Sequence, residues 1–124
     1  MDIISEFKRK REQGNERILN FDFLPYKRFF ALDSGAYRVG TIPSKYKELM
    51  GLVGSAVLRC NDCIHYHIER CVSEGCSIDE LNEALNISLV IGGSIVIPHL
   101  RYAYQVIEAL GLIDEQNKYK GGKK

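Results

Sequence analysis

Apolar residues recur through the middle of this chain at the spacing of a helix that is buried along one side. Between Ser44 and about Leu58 they fall at positions i, i+3, i+4, i+7 and i+8, namely Leu49, Leu52, Val53, Ala56 and Val57. An α-helix completes a turn every 3.6 residues, so this spacing forms one apolar stripe. No stretch shows the sustained period-two alternation of a strand. The pattern therefore favours helices throughout.

Further helix signals flank this segment. Residues 2–19 form a charged amphipathic pattern in which we expect an interruption at Gly14. Ser77 and Glu80 have the spacing of a capping box ahead of another helix. Gly92-Gly93 either interrupts that helix or allows it to pack closely, and a last helix follows. We predict an all-α domain of about five or six helices.

The domain prediction is a single domain over residues 1–124. Residues 1–39 hold the N-terminal helix and an aromatic connector, residues 40–111 form the helical core, and residues 112–124 form a polar C-terminal tail. We expect the aromatic side chains of the connector to pack on the core or against a neighbouring subunit, with core packing as the simpler outcome. They are Phe21, Phe23, Tyr26, Phe29 and Phe30.

Charge and hydropathy exclude several classes of partner. Seventeen basic and sixteen acidic residues give a net charge of +1, which argues against nucleic acid or an anionic membrane as a partner. No apolar run approaches the length of a membrane span, and the first residues lack the order of a signal peptide. We therefore expect a cytoplasmic protein. In that reducing compartment a Cys-x-x-Cys pair is a candidate for catalysis rather than a structural disulfide.

Cys60, Cys63 and His67 are the candidate site residues. At helical spacing these three positions fall within about 60° of one another and share one face. Two thiols three residues apart can close into a disulfide, and a helix start favours the thiolate, whose proton His67 could take. The pair is also half of a zinc site, but Cys71 lies about 16 Å along the helix from Cys60, too far to ligate the same ion. Redox chemistry is favoured, with no metal or cofactor expected, and the metal alternative stays open.

Glu48, in the preceding helix, is the candidate to orient His67. It lies about 16 Å before a turn near Arg59, and His67 lies about 10 Å after that turn. An antiparallel hairpin would bring the two to a similar depth, where their side chains could meet directly or through water. Taken alone, Glu48 fits an ordinary surface acid near a helix start better than an orienting residue.

The spacing of Glu48, Cys60-x-x-Cys63 and His67 resembles that of the carboxymuconolactone decarboxylase family, in its alkylhydroperoxidase D-like branch. The likeness covers about residues 40–111. The flanking sequence is also similar, at Lys47-Glu48-Leu49-Met50, Leu89-Val90-Ile91-Gly92-Gly93 and Pro98-His99. The resemblance implies an all-α fold and a homo-oligomer, often a trimer or a hexamer.

The resemblance also implies a thiol-dependent peroxidase or disulfide oxidoreductase. The Cys63 thiolate would attack a hydroperoxide or disulfide substrate, Cys60 would resolve the intermediate, and Glu48 with His67 would relay protons. An external dithiol, such as a lipoyl group or a thioredoxin-like protein, would recharge the pair. The best-known branch member has a histidine before the second cysteine, whereas this chain has Asp62, a negative group that opposes thiolate formation.

Four further residues are expected to lie outside the site. His65 falls about 160° from Cys63 around the helix, which predicts a surface or interface position. His99 is expected to be a core or subunit-contact histidine. Cys71 and Cys76 are expected to be a packed small hydrophobe and a loop thiol.

Two other functions remain open on sequence grounds. A lactone decarboxylase or related isomerase would use acid and base groups without redox thiols. A non-catalytic module would bind a metal or sense redox state through the same cysteines.

Overall fold

The computed structural model describes residues 2–113 and is helical over that range, without a strand. Six α-helices and one 3₁₀ turn follow one another: α1 (Ile3–Leu19), α2 (Leu24–Ala36), α3 (Ser44–Val57), α4 (Asn61–Ser73), α5 (Ile78–Gly92), the 3₁₀ turn Ser94–Val96 and α6 (Ile97–Ala109). The all-α prediction is confirmed. None of these helices is long and apolar enough to cross a membrane. The predicted polar tail lies outside the described residues from position 114 onward.

The chain divides into two compact units, with the boundary between Ser44 and Lys45. In the first unit, the Asp2 side chain caps α1 by accepting the backbone N–H of Ser5 at 2.8 Å. The predicted interruption at Gly14 is wrong, because α1 runs through that residue unbroken. A single glycine costs a helix interior only about 1 kcal/mol, which is too little to end a 17-residue helix.

Neither α1 nor α2 buries a side chain. Phe21 is 81% exposed and Phe29 is 65% exposed. Phe23, Leu24 and Tyr26 are about half exposed. Core packing of these connector aromatics is therefore wrong for the single chain, and packing against a neighbouring subunit stays a prediction. Two helices provide too little surrounding structure to enclose large rings.

The second unit opens with α3 and α4, which are joined by a tight turn. Arg59 takes a positive φ of 61°, and Cys60 is extended at φ −103° and ψ 101°. The N–H of Cys60 donates to the carbonyl oxygen of Ser55 at 3.1 Å. This turn sets Cys60 immediately ahead of Asn61, the first residue of α4.

The predicted capping box begins α5. Ser77 Oγ accepts the N–H of Glu80 at 3.1 Å, and Glu80 Oε1 accepts the N–H of Ser77 at 2.9 Å. The predicted interruption at Gly92-Gly93 is also present, because α5 ends at Gly92. Gly93 has a φ of 80°, a backbone conformation that glycine adopts without strain. The 3₁₀ turn then leads into α6.

The core of the second unit draws side chains from α3, α4, α5, the 3₁₀ turn and α6. Its fully buried apolar members include Leu52, Ile64, Ile68, Leu81, Val96, Val106 and Ile107. Helices α4 and α6 run parallel, since Asn61 contacts His99 and, further along both helices, His65 contacts Tyr102. Their N-terminal ends therefore lie side by side.

Candidate active site

Cys60 and Cys63 occupy the N-terminal end of α4. Cys60 is the N-cap residue, and its Sγ accepts a hydrogen bond from the backbone N–H of Cys63 at 3.3 Å. A backbone N–H directed at sulfur, at the positive end of a helix dipole, stabilises a thiolate. Cys60 is half-buried and Cys63 is exposed, and neither forms a disulfide. The sulfur of Cys63 is thus the more accessible of the two.

Glu48 and His67 meet directly, one turn beyond Cys63. His67 Nδ1 lies 2.9 Å from Glu48 Oε1. Glu48 reaches this point from α3 and is only 4% exposed, so it is not the surface acid that its position alone would allow. A carboxylate partner makes Nδ1 the protonated nitrogen and leaves Nε2 for proton exchange.

Arg70 supplies the second partner of the Glu48 carboxylate. Its Nε lies 3.7 Å from Glu48 Oε2, and its Nη2 lies 3.3 Å from Glu74 Oε2. A buried carboxylate is costly unless both its charge and its hydrogen-bonding capacity are met. The imidazole and the guanidinium each approach one oxygen, so Glu48 is fixed from two directions.

Gly51 leaves the space that the His67 ring occupies. A Cβ at Gly51 would lie 2.5 Å from His67 Cε1 and 2.8 Å from Nε2, closer than non-bonded atoms approach. The Tyr66 ring packs edge-on against the imidazole, with 5.2 Å between ring centroids. No sequence signal distinguished Gly51 from Gly54, whose Cβ position has no neighbour within 4 Å. The glycine is needed for His67 to reach Glu48.

His65 is fully buried, which corrects the predicted surface or interface position. Its Nδ1 lies 3.1 Å from the Tyr102 hydroxyl, and its Nε2 lies 3.2 Å from Glu69 Oε2. The helical projection placed this residue opposite Cys63 correctly, but it could not show that α6 covers that face. Burial lowers the pKa of His65, and the carboxylates of Glu69 and Asp62 oppose that shift.

His99 lies beside the thiol pair, a position that no local pattern indicated. Its Nδ1 is 2.8 Å from Oδ1 of Asn61, the residue that follows Cys60. His99 is only partly buried, so the core alternative is wrong, while the subunit contact stays a prediction. The contact spans 38 residues of sequence, so it depends on the packing of α6 against α4.

Cys71 and Cys76 are buried at the other end of α4. Burial raises the pKa of both thiols, which favours their unreactive protonated form. Cys71 is the packed small residue that was expected, whereas Cys76 follows the helix and is more buried than a loop thiol usually is. Within residues 2–113, no group of three or more His, Cys, Asp or Glu side chains could hold a metal ion.

Comparison with known families gives a match over more than half of the chain. The model of the carboxymuconolactone decarboxylase family matches residues 25–109, more than half of the chain. The chain belongs to the carboxymuconolactone decarboxylase family. The resemblance drawn from the site residues is thereby confirmed at the level of the family, and the match starts early enough to include most of α2. A comparison with proteins of curated function gives no significant match.

Solved structures of this family share the fold. TM1620 from Thermotoga maritima is 57% identical, with a TM-score of 0.83, over 85% of this chain and 92% of that chain. A second structure of TM1620, described as a family protein with a suggested part in the antioxidative response, is 62% identical over 71% of this chain and 91% of that one, with a TM-score of 0.70. The family protein lpg0406 from Legionella pneumophila is 25% identical, with a TM-score of 0.74, over 88% of this chain and 95% of that chain.

Proposed function

We propose that this protein is a thiol-dependent peroxidase and disulfide oxidoreductase with Cys60 and Cys63 as its redox pair. The observation that supports this most strongly is the buried Glu48–His67 contact of 2.9 Å, one turn from Cys63. A structural dithiol has no need of a histidine held by a buried acid on the same face. A thiol peroxidase needs a proton donor for the departing oxygen, and a histidine held in this way can supply it.

In the first step, the Cys63 thiolate attacks the terminal oxygen of a hydroperoxide. A sulfur–oxygen bond forms, the oxygen–oxygen bond breaks, and the sulfur gives up two electrons. The alkoxide leaves with a proton from His67 and becomes an alcohol, while Cys63 becomes a sulfenic acid. The greater exposure of Cys63 supports its part as the attacking residue.

In the second step, the Cys60 thiolate attacks the sulfur of the Cys63 sulfenic acid. A disulfide forms and hydroxide leaves, taking up a proton to become water. The hydrogen bond from the N–H of Cys63 to Cys60 Sγ keeps the resolving sulfur at the helix start, close to its target. Rapid closure protects Cys63 from over-oxidation.

An external dithiol then returns two electrons by thiol–disulfide exchange. One thiolate of the reductant attacks an accessible sulfur of the pair, and its second thiol releases the mixed disulfide. The exposure of Cys63 suits a reductant that carries its dithiol on an arm or a protruding loop, such as a lipoyl group or a thioredoxin-like protein. The reduced pair would reduce a substrate disulfide by the same exchange, with two electrons passing from Cys60 and Cys63 to the substrate.

Glu48 acts in this scheme through His67. Its carboxylate accepts a hydrogen bond from Nδ1–H, so Nε2 is the nitrogen that takes and returns protons at the thiol side. Asp62 acts in the other direction, since a negative charge between the two cysteines disfavours a thiolate. We expect a slower peroxidase than the best-known branch member for this reason.

Two further observations support the proposal. A part in the antioxidative response has been suggested for TM1620, which is 57% identical to this chain, and that suggestion agrees with a peroxide as substrate. The exposed aromatic residues of α2 and its preceding loop, together with the absence of any buried residue in α1 and α2, support assembly as a homo-oligomer. The family resemblance implies a trimer or a hexamer.

Thiol titration with cumene hydroperoxide tests the proposal. Wild-type protein is expected to lose two thiols for each peroxide consumed. Cys60→Ser should stop at a sulfenic acid on Cys63, which dimedone traps, and Cys63→Ser should consume no peroxide. Thiols that persist over minutes in the wild type would rule out the peroxidase activity.

Lactone chemistry is the second candidate, because the family that matches residues 25–109 is named for it. Such a reaction would use Glu48 and His67 as acid and base and would not need the thiols. The protein with both Cys60→Ser and Cys63→Ser separates the two functions. Decarboxylation of carboxymuconolactone by that protein would favour the lactone reaction over the redox one.

A further inference from the structure

The parallel packing of α4 and α6 brings a second imidazole to the thiol end of α4. His99 is the third residue of α6, and Asn61 is the first residue of α4. Their side chains meet at 2.8 Å, between His99 Nδ1 and Asn61 Oδ1. With Oδ1 as the acceptor, Nδ1 of His99 carries the hydrogen. This bond joins the two helices next to Cys60.

We propose that His99 is a positioning residue of the redox site, acting through Asn61 on the thiolate of Cys60. The inference rests on the proposed function, because it assigns a part in the same site. Asn61 follows Cys60 in sequence and belongs to the turn that the hydrogen bond from the N–H of Cys63 to Cys60 Sγ closes. The first turn of a helix has few hydrogen bonds of its own and frays readily, so a side-chain tie there keeps its N–H groups in place.

His99 thus stabilises the thiolate without touching it. Without the His99–Asn61 hydrogen bond, the first turn of α4 becomes less ordered. The N–H of Cys63 then spends less time directed at Cys60 Sγ, and a smaller fraction of Cys60 is thiolate at neutral pH. The hydrogen bond is what matters, and the charge of the imidazole is not required. An asparagine at position 99 would place a donor nitrogen at the same distance from the backbone as Nδ1.

Alkylation of Cys60 by iodoacetamide at pH 7, in a Cys63→Ser background, measures this effect without any redox turnover. His99→Ala and Asn61→Ala are each expected to slow alkylation about 3- to 10-fold, and the combined variant no further. His99→Asn should stay within about twofold of the parent. Peptide mass spectrometry assigns the label to Cys60, and all variants should react equally in denaturant.

Three results would overturn the proposal: an unchanged rate in His99→Ala, a rate in His99→Asn as slow as in His99→Ala, or losses from His99→Ala and Asn61→Ala that add. The Asn61→Ala variant keeps the test decisive if His99→Ala does not fold. Because the Cys63→Ser background cannot close a disulfide, failure here leaves the peroxidase proposal standing. A wild-type protein that does not react with peroxide would leave the alkylation result unaffected.

Discussion

His65 and His67 lie two residues apart on α4, and each contacts a carboxylate at about 3 Å. His67 faces α3 and the side of the helix that carries Cys63, and its acid is Glu48 from another helix. His65 faces α6, where it is fully buried, and its acid is Glu69 from its own helix. Only His67 shares a face with the thiols. In the proposed function the same residue type therefore serves chemistry on one face and packing on the other.

The largest expected effect is on the His67 face. His67→Asn keeps a donor at the δ position for Glu48 and removes the exchangeable Nε2. We expect kcat/KM with cumene hydroperoxide to fall about 10²- to 10⁴-fold, the usual range for loss of a general acid, while the circular dichroism spectrum stays unchanged. The matched variant His65→Asn should keep kcat/KM within a few-fold. Equal losses in both variants would remove the contrast between the faces.

Gly51→Ala displaces His67 from the α3 side of its position. The new Cβ would overlap the His67 ring at 2.5 Å, so the imidazole must shift away from its place beside Glu48. We expect kcat/KM to fall about 10-fold or more, with a stability loss of about 1–3 kcal/mol. Gly54→Ala is the control, because nothing lies within 4 Å of its Cβ position. It should leave activity unchanged and raise stability by up to about 1 kcal/mol.

His65→Ala tests the contribution of His65 to packing. It empties a buried position and leaves the Tyr102 hydroxyl without its ring partner. We expect the free energy of unfolding in urea to fall by about 2–4 kcal/mol. Peroxide turnover per folded molecule should remain close to that of the wild type. A stable but inactive His65→Ala protein would place His65 in the chemistry instead.

The smallest expected effect is a pH dependence of stability. The pKa of His65 is lowered from 6.5, chiefly by burial, so the unfolded chain binds a proton there more readily than the folded one. The free energy of unfolding should therefore fall as the pH drops below about 6.5 and level off above it. Glu69, Asp62 and Tyr102 are the titratable groups around the ring. In His65→Asn the urea midpoint of unfolding should change less between pH 6.5 and pH 5 than in the wild type. An unchanged pH dependence would exclude His65 as the source of the effect.

Regular helix geometry explains how much of the site could be predicted. The rise per residue placed Glu48 level with His67, and the offsets placed Cys60, Cys63 and His67 on one face, before any packing was known. The capping box at Ser77 and the end of α5 at Gly92 were local signals of the same kind. Such features depend on residues within a turn or two of one another.

The errors and omissions arise where distant parts of the chain meet. His65 was assigned to the surface because a helical projection shows direction and not cover, and α6 supplies the cover. His99 reaches Asn61 across 38 residues. Gly51 matters because of a ring carried by another helix. The aromatics before and within α2 were expected to pack on the core or against a neighbouring subunit, and the single chain leaves most of them exposed.

The central claim is that the reactive face of α4 forms one disulfide in response to peroxide. Peptide mass spectrometry after one equivalent of cumene hydroperoxide, with free thiols blocked by N-ethylmaleimide in denaturant, tests it most directly. We expect a Cys60–Cys63 link, with Cys71 and Cys76 recovered as blocked thiols. Four blocked thiols, or a link through Cys71 or Cys76, would contradict it.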